Sequence, residues 1–363
     1  MPAQQPRRRS ILLAVGAAAS AVTVLPGASS AAADEPHRRP RGPVVIGHRG
    51  AAGWRPEHTA ASYTHAVQTG ADWIEPDLVP TKDHVLVVRH ENEISGTTDV
   101  AKHPEFASRR TTKTVDGRSV TGWFTEDFTL AELKTLRAVE RLPLVRNRNT
   151  VFDGRLEVMT FQEVVDLARE LSKRHGRTIA VFPETKHPTY FRSIGLPLEP
   201  ELIRVIRRNR LGAHECVVQS FEPSSLTRIA EARLRLPLWQ ALGTTGGPYG
   251  HPATYKEMMT PDGLRQIAEY ADWIGPDKSS VVAPSPLLAD AHAAGLKVGA
   301  YTFRCENQFL PVQFRRGTAP NDFGDAFAEY ALHYGLGVDA VVTDFPDLAV
   351  VARDAALAAA TES

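Results

Sequence analysis

Apolar and polar positions alternate in two patterns that repeat along the chain from Pro43 onward. Short apolar runs, typical of buried parallel strands, occur at Val44–Gly47, Trp73–Val79, Thr178–Pro183, Cys216–Ser220, Leu238–Leu242, Trp273–Gly275, Val298–Phe303 and Ala340–Thr343. Amphipathic stretches with helical spacing lie at Ala60–Gln68, Phe161–Lys173, Pro200–Arg210, Ser224–Ala232, Pro261–Tyr270, Pro286–Ala294, Phe323–Tyr334 and Asp347–Leu357. The pattern therefore predicts eight strands, each followed by a helix.

Eight strand–helix units predict an α/β fold, a TIM (β/α)8 barrel, over residues 43–357. An open doubly wound sheet is the alternative, although it usually has fewer units. A further apolar run, Val85–Val88, follows the second strand after a turn too short for a parallel crossover, so we interpret it as an antiparallel hairpin partner. Residues 92–157 hold few periodic signals, and we expect an insertion there at the barrel rim, after the second strand. A second irregular stretch, 306–321, follows the seventh strand.

The first 33 residues have the pattern of an export signal. Arg7–Arg9 precede an apolar, alanine-rich stretch, Ile11–Leu25, and a small-residue cleavage pattern, Ala31–Ala33. Paired arginines before such a stretch resemble twin-arginine signal peptides, so we expect a secreted, extracytoplasmic protein. A membrane anchor is the alternative, which the short apolar stretch disfavours. Residues 34–42 are mostly polar, and we expect them to form a flexible lead-in.

Composition excludes several classes of protein. Lys and Arg number 42 and so do Asp and Glu, which gives no basic surplus for nucleic-acid binding. Hydrophobic residues make up 42% of the chain, as in ordinary globular proteins. No internal apolar run is long enough for a stable membrane span. The two cysteines, Cys216 and Cys305, fall near opposite mouths of the predicted barrel, so we expect no disulfide between them.

Reactive side chains gather where predicted strands end, and barrel active sites are built at those ends. They are His48 and Arg49 after the first strand, Glu75 and Asp77 in the second, His90 after the hairpin run, and Glu184 and Lys186 after the third. The spacing of Glu75 and Asp77 places both carboxylates on one face of a strand. Unpaired buried charges cost several kcal/mol each. We therefore predict one divalent metal ion held by Glu75, Asp77 and Glu184.

The residue types indicate the kind of reaction. Oxygen donors without cysteine are typical of Ca²⁺ or Mg²⁺ rather than Zn²⁺, and we favour Ca²⁺. His48 and His90 then remain free to transfer protons, and Arg49 and Lys186 supply positive charge for a phosphoryl group. This set suits hydrolysis of a phosphate ester better than of a sugar, which needs a free carboxylate pair. A structural ion pair with Glu184 is the alternative role for Lys186.

Several motifs also carry a family resemblance. They are Gly47-His48-Arg49-Gly50, Pro56-Glu57-His58-Thr59, Gly70-Ala71-Asp72, Glu75-Pro76-Asp77-Leu78, Val88-Arg89-His90, Glu184-Thr185-Lys186, Gln219-Ser220-Phe221, Tyr301-Thr302 and Val342-Thr343-Asp344-Phe345-Pro346. In this order they resemble the glycerophosphodiester phosphodiesterases, especially the bacterial periplasmic or secreted branch. The resemblance covers nearly all of the chain after the signal.

The resemblance implies a metal-dependent barrel that cleaves glycerophosphodiesters, as small-molecule substrates, to sn-glycerol 3-phosphate and an alcohol. The family's functional positions fall on His48 and His90 as the general acid–base pair, Glu75, Asp77 and Glu184 as metal ligands, and Arg49 and Lys186 as phosphate contacts. Two routes follow, attack by the glycerol 2-hydroxyl to give a cyclic phosphate or direct attack by water. The sequence leaves open which histidine acts first.

Other residues receive secondary roles. In the family, Glu57 lies near the metal as a second-line ligand or orienter. We expect Phe303 and Phe345 to contact the glycerol. The chain departs from the commoner family pattern at Pro76, Arg89 and Tyr301, none of which removes a catalytic group.

Some residues receive only structural interpretations. We expect Gln219 to satisfy backbone groups at a strand end, and His58 and His187 to lie at the surface or in local hydrogen bonds. Trp239 and Trp273 are interpreted as core or rim packing.

Two other functions fit the same fold. A phospholipase would use the same barrel and metal but would need an apolar entrance for an acyl chain. A non-catalytic phosphate-ester binding protein would be expected to lack a histidine or a metal carboxylate, and here all are present.

Overall fold

The strands of the computed structural model follow the predicted order. They are β1 (Val44–Gly47), β2 (Trp73–Ile74), β3 (Asp77–Pro80), β4 (Leu86–Val88), β5 (Thr111–Val115), β6 (Arg118–Gly122), β7 (Ala180–Val181), β8 (Glu184–Thr185), β9 (Val218–Ser220), β10 (Leu238–Leu242), β11 (Trp273–Pro276), β12 (Lys297–Phe303) and β13 (Ala340–Thr343). The structure describes residues 42–362. The predicted signal peptide and residues 34–41 of the lead-in lie outside them.

Helices follow most of the strands. They are α1 (Ala60–Gln68), α2 (Leu130–Leu133), α3 (Phe161–His175), α4 (Pro188–Ser193), α5 (Leu198–Asn209), α6 (Pro223–Glu231), α7 (Tyr255–Met258), α8 (Pro261–Ala268), α9 (Leu287–Ala293), α10 (Ala326–Leu336) and α11 (Pro346–Glu362). All described residues belong to one compact unit. No helix within the described range is both long and apolar enough to span a membrane.

The barrel sheet closes on itself. β13 pairs in parallel with both β12 and β1, and the parallel pairing continues from β1 to β2 and from β8 through β12. β2 and β7 pair in the same register as β3 and β8, so each of these two strand regions is one interrupted strand. This confirms the TIM barrel and excludes an open sheet. The antiparallel pairing of β3 with β4 confirms the hairpin.

Proline interrupts two of the predicted strands. The expectation of a continuous strand over Trp73–Val79 is wrong, because Glu75 and Pro76 separate β2 from β3. Proline has no N–H to donate to a ladder. Pro183 likewise lies between β7 and β8, and pairing continues to Thr185, beyond the predicted end.

Capping residues determine two helix ends that the hydrophobic periodicity predicted at the wrong positions. The Asp325 side chain accepts a hydrogen bond from the Ala328 N–H, so α10 begins at Ala326 rather than at Phe323. Gly176, with φ of 61°, ends α3 two residues later than predicted.

Residues 92–157 form an irregular segment that packs on the barrel. Its regular elements are the antiparallel hairpin of β5 and β6, the short helix α2, and 3₁₀ turns at Val100–Lys102, Pro104–Arg109, Thr125–Asp127 and Asn147–Phe152. Phe106, Phe124 and Phe128 are buried in the main hydrophobic core. We call this segment the rim segment.

An apolar layer fills the barrel interior below the strand ends. It consists of Ile46, Phe182, Val217, Trp239, Ala241, Trp273, Ala340 and Val342. The Trp239 and Trp273 rings stack with centroids 5.0 Å apart. A Cβ atom on either Gly275 or Gly299 would overlap the Trp239 indole, so both neighbouring strands must carry glycine there. Outside this layer, Cys216 and Cys305 are both buried, with free thiols.

We expect Gly299→Ala to lower the free energy of unfolding by about 1–3 kcal/mol, since overpacking a dense core forces its neighbours out of position. Urea or thermal unfolding would measure this change. The control is Gly335→Ala in α10, where an added Cβ meets no atom within 4 Å. Because alanine has a better helix propensity than glycine, the control should have an unchanged or slightly higher free energy of unfolding. Equal stability of the two variants would contradict the packing argument.

Candidate active site

A cavity of about 420 Å³ opens at the carboxyl ends of the barrel strands, and we call it the catalytic cavity. The predicted site residues that line it are His48, Arg49, Glu75, His90, Glu184 and Lys186. Asp77 and Glu57 lie beside this set, each in an ion pair with Arg49. Residues separated by more than a hundred positions in the sequence are therefore brought to one mouth of the barrel.

Three carboxylates converge on one side of the catalytic cavity. Glu75, Asp77 and Glu184 offer oxygen atoms that all lie within 4.8 Å of one another, and all three residues are buried. Asp77 and Glu184 are register partners on β3 and β8. Glu75 occupies the break before Pro76, and the Arg49 N–H donates to its Oε2 atom at 3.1 Å.

The electrostatics of this group favour a cation. Burial, together with repulsion from Asp77 and Glu184, raises the pKa of Glu75 well above its usual range. Burial raises the pKa of Glu184 to about 7. The Oδ1 atom of Asp77 is buried and has no hydrogen-bond partner within the described part of the chain. Because the donors are carboxylate oxygens, the group fits a hard divalent cation such as Ca²⁺ or Mg²⁺.

His48 is oriented by a carboxylate from the far end of the chain. Its Nδ1 atom lies 2.5 Å from Asp344 Oδ1, because β13 pairs with β1 and places the two residues side by side. Its Nε2 atom faces the carboxylate group, 3.8 Å from Glu75 Oε2. Burial and the nearby Arg49 lower the pKa of His48 to about 4, so the imidazole is neutral near pH 7.

Asp344 in turn is held by two arginines that sequence reasoning missed. Arg146, from the rim segment, donates to Asp344 Oδ2 at 2.6 Å and to Glu306 Oε1 at 2.7 Å. Arg304 donates to the same Asp344 oxygen at 2.9 Å. The conformation of His48 therefore depends on both irregular stretches at the barrel rim.

His90 is oriented in a similar way by its neighbour. Its Nδ1 atom lies 2.9 Å from Glu91 Oε1. Burial, with Arg49 and Lys186 nearby, lowers the pKa of His90. Each predicted proton-transfer group is thus a histidine with one ring nitrogen held by a carboxylate and the ring facing the cavity.

Arg49 occupies a tight turn after β1. Its φ of 56° lies in the left-handed region, which is uncommon for a residue with a side chain. Its guanidinium donates to Glu57 at 2.8 Å, and Glu57 also accepts from Arg141 at 2.7 Å. Glu57 therefore lies outside the carboxylate group and positions Arg49, which matches the orienter role rather than that of a ligand.

Lys186 makes the predicted ion pair and also lies at the catalytic cavity. Its Nζ atom lies 2.8 Å from Glu184 Oε1, and the residue also lines the catalytic cavity. An ion pair with Glu184 and a contact with a bound phosphate are therefore geometrically compatible.

The two phenylalanines predicted to contact the glycerol do not line the cavity. A register shift in β12 between Ala300 and Phe303 accompanies a turn of Phe303 into the core, where it stacks on Tyr330 at 5.1 Å. Phe345 packs edge-on against Trp54, 5.2 Å between centroids. The aromatic residues that do line the cavity are Phe221, Trp239, Tyr301 and Phe309.

Two residues given only structural roles contact the carboxylate group. Gln219 donates from Nε2 to Glu75 Oε1 at 2.6 Å, so the expectation that it serves backbone groups is wrong. His58 is fully buried, with Nε2 2.9 Å from Asp77 Oδ2 and Nδ1 2.9 Å from the Tyr63 hydroxyl. Both residues belong to motifs named above, but only the folded structure shows which side chains they contact.

The three departures from the family pattern have different outcomes. Pro76 creates the break that Glu75 occupies. Tyr301 lines the cavity and donates its hydroxyl hydrogen to the Leu242 carbonyl at 2.9 Å. Arg89 is buried, and its guanidinium nitrogens have no hydrogen-bond partner among residues 42–362. Nothing in the structure explains that arginine.

A TIM barrel with buried carboxylates, two oriented histidines and two cations at its mouth has the architecture of an enzyme acting on phosphate esters. Comparison with known proteins gives the family. The sequence model of the Glycerophosphoryl diester phosphodiesterase family matches residues 48–348. The chain belongs to this family, which confirms the resemblance at the level of the family and identifies the protein as an enzyme.

Curated relatives align over most of their length. The glycerophosphodiester phosphodiesterase GDPD6 of Arabidopsis thaliana is 33% identical over 357 residues, which cover 92% of each chain. The glycerophosphodiester phosphodiesterase of Haemophilus influenzae is 28% identical over 341 residues, covering 85% of this chain and 88% of the relative.

Solved structures support the fold. A glycerophosphodiester phosphodiesterase from Agrobacterium tumefaciens superposes with a TM-score of 0.57 at 18% identity, covering 85% of this chain and 99% of the other. A phosphodiesterase from Oleispira antarctica, solved with the product sn-glycerol-3-phosphate, has a TM-score of 0.56 at 19% identity, with coverages of 86% and 97%.

His187 provides a pH-dependent contribution to stability. Its Nδ1 lies 2.5 Å from Asp116 and its Nε2 2.8 Å from Glu91, so it is not a surface residue. Burial lowers the pKa of His187, but the hydrogen bonds to these two carboxylates outweigh it and raise the pKa to about 9.

Because the pKa of His187 is higher in the folded than in the unfolded protein, protonation of His187 stabilises the folded state. This stabilisation is complete below about pH 6.5 and is lost as the pH rises through about 9. We expect His187→Gln to lose about 2–3 kcal/mol of unfolding free energy at pH 6 and progressively less towards pH 9.5. Denaturant unfolding across this range would measure it, with the exposed His214→Gln as control. A deficit independent of pH would show that His187 is not charged in the folded protein.

Proposed function

We propose that this protein hydrolyses glycerophosphodiesters to sn-glycerol 3-phosphate and an alcohol, with a divalent metal ion and the pair His48 and His90. One observation carries the proposal: three buried carboxylates converge beside the cavity that two carboxylate-held histidines line. The family membership and the names of the curated relatives support the same reaction. The Oleispira antarctica structure contains the product that this reaction releases.

The two histidines supply the proton transfers. One accepts the proton of the nucleophile, either the glycerol 2-hydroxyl or a water molecule, as its oxygen bonds to phosphorus. The other enters the step protonated and donates to the alkoxide oxygen as its bond to phosphorus breaks. Where the 2-hydroxyl is the nucleophile, water then adds to phosphorus and opens the cyclic phosphate to sn-glycerol 3-phosphate. Asp344 and Glu91 keep the rings in orientation and stabilise the charged form of each.

The remaining polar groups serve the phosphate. Arg49 and Lys186 line the cavity and lie where they can bind the non-bridging oxygens. Glu75, Asp77 and Glu184 would hold the metal ion, for which we favour Ca²⁺ over Mg²⁺. When bound, that ion would add positive charge next to the phosphoryl group.

Release of glycerol 3-phosphate from glycerophosphocholine tests the proposal. We expect release to stop with a chelator and to return when Ca²⁺ or Mg²⁺ is restored. His48→Ala should lower kcat by at least about a hundredfold, the usual contribution of a general acid or base. His214→Ala, which removes an exposed histidine, should leave kcat unchanged.

Three results would overturn parts of this scheme. Full activity in the chelator would exclude the metal, and full activity of His48→Ala would exclude its role. Cleavage of lysophospholipid but of no glycerophosphodiester would identify a phospholipase instead, and binding without cleavage of either would favour a binding protein.

We also propose that residues 1–33 direct export by the twin-arginine route, as in a secreted branch of the family. The support is the order of Arg7–Arg9, the apolar stretch and the small-residue site. Expressed in a bacterium with this route, the full chain should appear extracytoplasmically, shortened at its N-terminus. Replacing Arg7, Arg8 and Arg9 by lysine keeps the charge and should retain the protein inside. Export of the lysine variant at the original level would contradict the twin-arginine assignment.

A further inference from the structure

We propose that a second cavity beside the catalytic one binds the leaving alcohol, and that it selects alcohols carrying an ammonium group, such as choline or ethanolamine. This inference rests on the proposed function, since it concerns the part of the diester that is released. It is carried by the shape of the cavity, two carboxylates with unpartnered oxygens and an aromatic wall.

The second cavity, which we call the side cavity, has a volume of about 540 Å³. Glu184, Lys186 and Phe221 line both cavities, so the two meet at the predicted phosphate position. Glu91, whose carboxylate holds His90, also lines the side cavity. One of the two proton-transfer groups therefore lies next to it, where a leaving oxygen needs a proton.

Two carboxylates in the lining of the side cavity, one buried and one partly buried, have an oxygen atom that accepts no hydrogen bond from the described residues. Glu222 is 4% exposed, and both hydrogen bonds that it accepts, from the N–H and the hydroxyl of Thr189, go to Oε2. Asp116, at the tip of the β5–β6 hairpin, contacts His187 through Oδ2. Its Oδ1 atom is buried and has no hydrogen-bond partner in the described part of the chain.

Negative charge is in excess in the side cavity. Its acidic residues are Glu91, Glu93, Asp116, Glu184 and Glu222, and its cationic ones are Arg118, Lys186 and His187. Lys186 is already paired with Glu184, and His187 lies between Glu91 and Asp116. Burial raises the pKa of Glu222 to about 7, and Asp116 adds to this effect, so a cationic ligand would stabilise its ionised form.

The third wall is aromatic. Tyr255 is nearly buried and makes an edge contact with Phe221, 6.3 Å between centroids. Tyr249, half exposed, lies near Gly117 of the hairpin and lines the cavity on that side. Aromatic faces attract ammonium groups, quaternary ones included. The carboxylates beside these rings would disfavour the acyl chain of a phospholipid, and a neutral alcohol would gain nothing from them.

The test compares diesters that differ only in the released alcohol. The purified mature protein is assayed with glycerophosphocholine, glycerophosphoethanolamine and the neutral-alcohol diester glycerophosphoglycerol, at fixed ionic strength. We expect kcat/KM to be about tenfold higher for the two cationic substrates. In Glu222→Gln, kcat/KM should fall about tenfold for these and stay within about twofold for glycerophosphoglycerol. The control is Glu269→Gln, an exposed acid outside both cavities, which should change no ratio.

A binding measurement separates this inference from the catalytic proposal. Choline should bind the unreacted wild-type protein in calorimetry and inhibit hydrolysis of glycerophosphoglycerol, whereas Glu222→Gln should lose both effects. If Glu222→Gln does not fold, the choline titration and the substrate preference of the wild-type protein decide the question. Equal kcat/KM for cationic and neutral diesters, or no binding of choline, would overturn the inference while glycerol 3-phosphate release would still support the function. Absence of release from all three diesters together with choline binding would instead overturn the proposed function alone.

Discussion

The concentration of negative charge at one mouth of the barrel is the constraint on which the site depends. Three carboxylates whose oxygens lie within 4.8 Å of one another cannot all be ionised in a buried place without compensating positive charge. Arg49 and Lys186 supply part of it from adjacent strand ends. The rest of the negative charge makes the group suited to a divalent cation, which is the basis of the proposed metal site.

Barrel closure is what brings the histidine and its orienting acid together. Residues 48 and 344 lie almost at opposite ends of the domain, yet β1 and β13 are neighbours in the closed sheet. The rim segment then adds Arg146, and the residue after β12 adds Arg304, and both arginines hold Asp344. The rim segment therefore supports the active site, because its residue Arg146 holds the Asp344 carboxylate that orients His48.

The two adjoining cavities would fix the orientation in which a diester binds. One holds the carboxylate group and the two histidines, and the other has an acidic and aromatic lining. A phosphate placed at Lys186 and Phe221, which both cavities share, would extend its two organic groups into different chemical surroundings. Selectivity for the released alcohol and catalysis at phosphorus would then be functions of different residues.

The sequence by itself determined the fold class and most of the reactive set. Strand and helix periods follow from local burial, and the motifs at strand ends name His48, Arg49, Glu75, Asp77, Glu184 and Lys186, which the structure does bring together. Strand breaks at Pro76 and Pro183, the inward turn of Phe303 and the contacts of Gln219, His58 and Asp344 were decided only by the tertiary structure. The reason is physical: period and composition depend on neighbours along the chain, whereas a hydrogen bond from Gln219 to Glu75 depends on strand register, which many distant contacts set together.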